Sequence, residues 1–159
     1  GGLLFLPYLN GERSPVFDTR ARGLFFGIGL NTRRAELTRA VMEGVGYGLG
    51  QLMDIIEGVT GTRLDPLPVS GGGGKGRLWM QILSDILGRT LTVSNLRDAG
   101  SVGAAMLGGI AGGLISRDFK PFVPGEPLTF HPSPETAEPY ADAARRYREL
   151  YPAVKHLYE

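Results

Sequence analysis

The sequence predicts an α/β domain, and three observations carry that assignment. From Arg33 onward, Leu37, Val41, Val45, Leu49, Leu52, Ile56 and Val59 recur at three- and four-residue steps, the period of a helix. Short apolar runs bounded by turn residues, Gly23 to Leu30 and Arg89 to Ser94, have the length and composition of strands. Between them, Leu67-Pro68-Val69 runs into four consecutive glycines, and helical spacing through Leu78, Trp79, Ile82, Leu83, Ile86 and Leu87 follows at once, stopping at Gly88. Strands that alternate with helices in this way make an α/β layer architecture.

In chain order, Leu3 to Leu9 reads as an extended segment. The polar loop Asn10 to Pro15 follows, with Glu12 and Arg13 expected as a solvated or salt-bridged pair. Gly23 to Leu30 is expected as a buried strand, and Asn31 or Thr32 as the N-cap of the long helix. Gly58 is expected to stop that helix, leaving Thr60 to Pro66 as a loop. Gly44, Gly46, Gly48 and Gly50 each cost about 1 kcal/mol relative to Ala inside a helix, so their presence implies close approach of another backbone. Glu43 beside them is expected as a solvated helix charge.

After the glycine-rich stretch, Arg89 to Ser94 should form a strand with Leu91 and Val93 on one face. Asn95 to Gly100 turns the chain. Ser101 to Ile110 then reads as a helix of small residues with Ser101 at its mouth, suited to tight packing against the helix after the glycine run. Asp85 and Asp98 are expected to cap or bridge elements. Lys120 to Pro134 is rich in proline and reads as a surface excursion without an element of its own. The tail from Pro134 to Glu159 recovers helical spacing through Ala141, Ala144, Tyr147, Leu150 and Tyr151, with Pro152 ending or kinking it.

Length and charge bound the function. A chain of 159 residues holds one sound core or forms part of a larger protein. With 17 basic and 16 acidic residues there is no global field to draw in nucleic acid or an acidic membrane. The absence of Cys removes disulfides, thiolate metal sites and thiol nucleophiles, and fits a reducing cytoplasm. His131 and His156 lack metal-ligand spacing, and no apolar run is long enough to span a bilayer. The opening Gly1-Gly2-Leu3-Leu4-Phe5 has no initiator Met and no basic leader, and reads as the start of a cut or processed fragment.

The functional candidate is the stretch Gly71, Gly72, Gly73, Gly74, Lys75 and Gly76. Glycine permits positive φ and removes the Cβ that would hold a ligand off. A helix N-terminus directly after it offers unpaired N–H groups to an anion, so strand, glycine turn and helix suit a phosphate or nucleotide. A Walker loop fails here, because Gly74-Lys75 is followed by Gly76 and Val69 stands where the first glycine belongs. The dinucleotide fingerprint is met by Gly71, Gly73 and Gly76, but the next strand ends in Asn95 rather than an acidic residue.

Four segments resemble the FGGY carbohydrate kinases, and within them the xylulokinase branch. Leu9-Asn10-Gly11-Glu12-Arg13-Ser14-Pro15, continuing to Ala21-Arg22-Gly23, is similar to the family's G-E-R-[ST]-P stretch. Gly23, Phe25, Gly27 and Ile28, then Glu36, Leu37, Ala40, Val41, Met42 and Glu43, fit its second signature. Ser70 through Gln81 resembles its G-G-G-A-[KR]-S-x-x-W-x-Q, with Ser84-Asp85-Ile86-Leu87-Gly88 following. Val102-Gly103-Ala104-Ala105-Met106-Leu107 is similar to its [AL]-L-G-A-A-x-L.

The resemblance implies an actin-like, ribonuclease-H-like fold of two domains with ATP and Mg²⁺ in the cleft between them. Residues 1–159 would be part of the second domain, with 120–134 its surface excursion and 135–159 a helical tail. The glycine loop would face ATP, with Gly72 contacting the nucleotide. Gly74 and Gly76 depart from the usual Ala and Ser or Asn, which leaves backbone contacts. The catalytic base and the sugar pocket would lie upstream, so this chain is expected to be inactive alone. A ketose such as D-xylulose is the expected substrate, and a homodimer the expected assembly. Two alternatives stay open from the residues: a dinucleotide-binding domain, and a non-catalytic module that binds nucleotide or a partner through an exposed tail.

Overall fold

A computed structural model describes residues 2–96, 98–121, 123 and 125–158. Its elements, in order, are β1 (Leu4–Leu6), β2 (Leu24–Phe26), α1 (Arg34–Thr60), β3 (Leu67–Val69), α2 (Arg77–Leu87), β4 (Leu91–Val93), α3 (Ala99–Ala111), β5 (Leu128–Phe130) and α4 (Ala137–Val154). β1 and β2 form an antiparallel pair, Leu4 opposite Phe26. The second sheet has the order β3-β4-β5, with β3 and β4 parallel and β5 antiparallel to β4. The α/β assignment holds, and β5 corrects the expectation that 120–134 has no element. Its three residues Leu128-Thr129-Phe130 were hidden by the prolines around them.

Two clusters form the core. Leu4, Leu6 and Tyr8 pack with Tyr47 of α1 and with Tyr140, Ala143, Tyr147, Leu150 and Tyr151 of α4. The rings of Tyr47 and Tyr147 lie 5.3 Å apart, and that of Tyr47 is 6.4 Å from Tyr140. The tail is therefore a core helix and not an exposed one. Pro152 sits in its last turn, two residues before its end, so the bond its missing N–H removes lies at the helix terminus and not in its middle. The second cluster joins Met80 and Leu83 of α2 to Leu91 and Val93 of β4. Leu91 and Val93 do share a buried face.

The face that α1 buries differs from the one its periodicity predicts. Ala40, Gly44, Gly46 and Tyr47 are buried, while Val41, Val45, Leu49 and Ile56 are 37–47% exposed. Small residues face inward because β1 and α2 come too close for larger ones. A Cβ on Gly46 would stand 2.8 Å from Ile86 Cδ1, and one on Gly44 would collide with the backbone of Phe5. Backbone approach thus holds for Gly44. Gly46 meets side chains, and at Gly48 and Gly50 a Cβ would find only ordinary contacts, at 3.6 and 3.7 Å.

The ends of α1 are also corrected. Its N-cap is Arg33, whose N–H donates to Glu36 Oε2 at 2.7 Å, while the Thr32 hydroxyl accepts from Gly29 N–H at 2.9 Å. The helix runs through Gly58 to Gly61, which takes φ 65 and donates to Glu57 O at 2.8 Å, because a left-handed C-cap stops a helix where a lone glycine need not. The expected buried strand at Gly23 to Leu30 is three residues long and half-exposed. Phe26, Ile28 and Leu30 lie 51%, 60% and 107% exposed, since β2 packs only its β1 edge. Likewise α3 has no buried residue, so the tight packing expected of its small residues is not made.

Candidate functional site

β3 and β4 run parallel, so the loops that follow them leave the sheet on the same side. Ligands of α/β proteins bind outside the carboxyl ends of such strands. The N–H of Ser94 donates to Val69 O at 3.2 Å and ties the two exits together.

After Val69 the chain reaches Gly71, with φ 96 and ψ −178, a conformation for which glycine alone is suited. Gly72–Lys75 form a 3-10 turn, and Gly76, at φ −84 and ψ 94, is the N-cap of α2. Gly74 N–H donates to Gly71 O and Gly76 N–H to Gly73 O, both at 3.2 Å. Among the described residues, the N–H groups of Gly71 and Gly72 have no protein acceptor.

The six glycine-loop residues divide by direction. A Cβ on Gly71 or Gly72 would meet no heavy atom within 4 Å, so both face open space. Gly74 is buried against β4, where a Cβ would stand 2.8 Å from Val93 Cγ1. Gly73 and Gly76 turn back toward Trp79, their would-be Cβ atoms 3.8 Å from its Nε1 and 3.3 Å from its Cβ. The loop therefore presents Gly71, Gly72 and Lys75 outward, while Gly73 and Gly76 back it. Among the described residues, none of α2 lines the cavity beside the loop, whose wall there is Gly71 and the 3-10 turn.

A cavity of about 660 Å³ opens against this turn. Gly71, Gly72, Gly74 and Lys75 form one wall, and Val93, Ser94, Asn95, Leu96, Asp98 and Leu128 form the other. Asp98 sits at φ 51 and caps α3, its Oδ2 accepting from the Ser101 hydroxyl at 2.6 Å and its Oδ1 from Ser101 N–H at 3.2 Å. Those two bonds, the hydroxyl first, hold its carboxyl below the usual carboxylate range. The capping role expected of Asp98 is met, with α3 starting at Ala99 rather than Ser101. The Asn95 side-chain N–H donates to Glu126 O at 2.6 Å.

Ser94, Asn95, Leu96 and Leu128 have no motif to mark them as cavity residues. The one available signal is positional: they follow, or pair beside, the strand parallel to the glycine-loop strand. That pairing becomes visible only in three dimensions.

The remaining candidates have structural partners. Asp85 is buried and accepts from Gln81 Nε2 at 2.9 Å and from Ser133 N–H at 2.8 Å, bridging α2 to the segment after β5 as expected. Glu43 is not a solvated charge. It accepts from Arg39 Nε at 2.7 Å and from the Tyr140 hydroxyl at 3.1 Å, and Arg39 also donates to that hydroxyl. Arg13 donates its N–H to Glu12 Oε1 at 2.8 Å in an exposed loop.

The cavity suits a nucleotide in size and donors. It does not suit a metal held by protein ligands: no group of three or more His, Asp or Glu gathers among the described residues, and Asp98 is engaged by Ser101. None of the described helices is long and apolar enough to cross a membrane.

The dinucleotide alternative is not supported. β4 has antiparallel β5 on its far side instead of a further parallel strand, and Asn95 beyond it is bonded to Glu126 O where a free carboxylate is required.

Residues 1–112 match the model of the FGGY family of carbohydrate kinases, C-terminal domain. The chain is 37% identical over 150 residues to xylulose kinase of Escherichia coli strain K12, covering 92% of this chain and 31% of that protein. It is 39% identical over 111 residues to glycerol kinase 2 of Saccharolobus solfataricus, covering 70% of this chain and 22% of the relative. The chain thus spans under a third of these relatives' length. The crystal structure of a xyloylose kinase from Brucella ovis superposes with a TM-score of 0.85 at 33% identity, over 99% of this chain and 32% of that one. Plasmodium falciparum glycerol kinase with ADP gives a TM-score of 0.75 at 25% identity, over 93% and 30%. Together with the mixed α/β fold and the glycine-turn cavity, these matches show that the chain belongs to the FGGY family of carbohydrate kinases, as C-terminal domain sequence with the actin-like, ribonuclease-H-like fold of that family.

Proposed function

We propose that this chain is the nucleotide side of an ATP-dependent sugar kinase. The observation that carries this is the outward face of the glycine turn: Gly71 and Gly72, whose N–H groups have no protein acceptor among the described residues, line a cavity that Lys75 also lines. Backbone N–H groups and a cation are what bound phosphates need. Gly74 supports that face by packing on Val93, while Gly73 and Gly76 are directed toward Trp79. One solved neighbour, the Plasmodium falciparum glycerol kinase, carries ADP.

Phosphoryl transfer depends on positioning and on neutralising charge at the transferred group, with Mg²⁺ bridging phosphate oxygens. Among the described residues the one carboxylate lining the cavity, Asp98, is engaged by Ser101, so Mg²⁺ would arrive with the phosphates. The chain contributes nucleotide orientation, and the base that activates the sugar hydroxyl lies outside it. Alone it turns over no sugar, and a homodimer of the longer protein is the expected assembly. D-xylulose is the favoured acceptor, because in sequence the xylulose kinases of Escherichia coli and Lactococcus lactis match 92% and 99% of this chain, whereas glycerol kinase 2 matches 70% of it.

A two-dimensional amide NMR titration tests this. Mg-ADP should shift Gly71 to Gly76 and the Ser94 to Ser101 turn, and NADH should not. Shifts spread away from the cavity would overturn the site assignment. Sugar-dependent ADP production by this chain alone would overturn the assignment of the base to another part of the protein. Turnover of glycerol in preference to D-xylulose by the longer protein would overturn the acceptor.

A further inference from the structure

The two walls of the cavity differ in chemistry. One has Gly71, Gly72 and the Lys75 ammonium, the other the apolar Val93, Leu96 and Leu128 beside the polar Ser94 and Asn95 and the Asp98 carboxylate, which Ser101 already engages. A ligand with a polyanionic end and a flat apolar end fits that division, phosphates to the first wall and base to the second. The β4–β5 ladder holds Val93 and Leu128 together, and beyond its end one side chain continues the tie. β4 and β5 pair in the register Val93 opposite Leu128, so two residues further Asn95 faces Glu126. The ladder of backbone bonds has ended there. Instead the Asn95 side-chain N–H reaches across to Glu126 O at 2.6 Å. This bond therefore continues the contact between the two segments two residues past the ladder, next to the cavity-lining Leu128. Gly125 turns beside this bond at φ 73, and a Cβ on it would stand 3.3 Å from Asn95 Nδ2.

We propose that Asn95 is a positioning residue for the base of a nucleoside diphosphate, its amide holding the Gly125–Leu128 segment so that Leu128 lines the wall against which the base lies. This role rests on the nucleotide assignment made above. It requires no contact between Asn95 and the phosphates, and that separates it from the glycine turn.

The test measures Mg-ADP and Mg-pyrophosphate binding to the 159-residue chain by calorimetry. The proteins compared are the unsubstituted chain, Asn95→Ala, and Asn95→Leu, which restores side-chain volume without a donor. Both variants should bind Mg-ADP about fivefold to tenfold more weakly, the loss of one hydrogen bond that orders a wall. Pyrophosphate binding should change by less than about twofold. Gly125→Ala, which crowds the same bond, should weaken Mg-ADP in the same direction. Equal loss of both ligands would mean general disruption and overturn the role, as would variants that bind Mg-ADP normally. A side-chain amide of Asn95 that exchanges as freely as a solvent-exposed one would overturn the tether itself. Failure of the unsubstituted chain to bind either ligand would overturn the nucleotide assignment, and the role with it.

Discussion

Gly44 of α1 and Phe5 of β1 meet through bare backbone: a Cβ on Gly44 would lie far inside contact distance of the Phe5 carbonyl oxygen. Backbone cannot rotate away as a side chain can, so α1 and β1 would have to part. Gly44→Ala is expected to destabilise the chain by about 3 kcal/mol, the upper range for overpacking. Gly48→Ala, one turn on, puts its Cβ 3.6 Å from the Tyr147 hydroxyl, an ordinary contact, and removes a poor helix residue. It should stabilise by up to about 1 kcal/mol. Urea melts of the two variants check both signs.

That contrast shows what was legible in the sequence. Glycine inside a helical period announces close packing, but the pattern does not say which glycine meets backbone and which meets a side chain at ordinary distance. The same ambiguity misplaced the buried face of α1. Val41, Val45 and Leu49 carry the helical period, yet the inward face is set by the gap to β1, which admits Ala40 and Gly44. The glycine turn was legible because it is local, strand to helix within a dozen residues. The opposite wall was not, because Asn95 and Leu128 meet only through β4–β5 pairing across the proline-rich segment.

Tyr140 joins α4 to α1 through charge. Its hydroxyl donates to Glu43 at 3.1 Å and accepts from Arg39, which itself pairs with Glu43 at 2.7 Å. Tyr140→Phe keeps the ring against Tyr47 and removes only those bonds. It is expected to cost about 1.5 kcal/mol, the low end for hydrogen bonds to charged groups. Thermal denaturation measures it, and a double-mutant cycle with Glu43→Gln should show coupling.

Glu57 makes stability depend on pH. Its carboxylate accepts from Leu64 N–H at 2.8 Å and from Arg89 at 3.0 and 3.2 Å, and these bonds, Leu64 first, hold its pKa below the ordinary glutamate value. A carboxyl with a depressed folded pKa favours the folded state above its unfolded pKa, about 4.3, and loses that contribution as pH falls through the lower folded value. Urea midpoints should therefore drop from about pH 5 to about pH 3. Glu57→Gln should lower the midpoint at neutral pH and flatten this drop without abolishing it. Asp18, Asp98 and Asp142 are depressed in the same direction and remain.

Gly72 and Gly74 separate ligand contact from packing within one turn. Both lie on the cavity wall, but a Cβ on Gly72 enters open space, whereas one on Gly74 stands 2.8 Å from Val93 Cγ1. Gly74→Ala must displace a buried valine of β4, and is expected to cost about 1–2 kcal/mol of stability. Gly72→Ala displaces nothing in the protein and should leave stability within about 0.5 kcal/mol. In the proposed site its methyl would instead occupy the space where phosphate oxygens approach the Gly71 and Gly72 amides. Mg-ADP binding should weaken about tenfold, some 1.4 kcal/mol, with the melting temperature unchanged. Lys75→Ala should also weaken Mg-ADP at unchanged stability, and by less as salt is raised, because an exposed ammonium acts through screened charge. A Gly72→Ala variant that melts normally and binds Mg-ADP normally would show that nothing docks on the open face of the turn, and would remove the observation on which the nucleotide site stands.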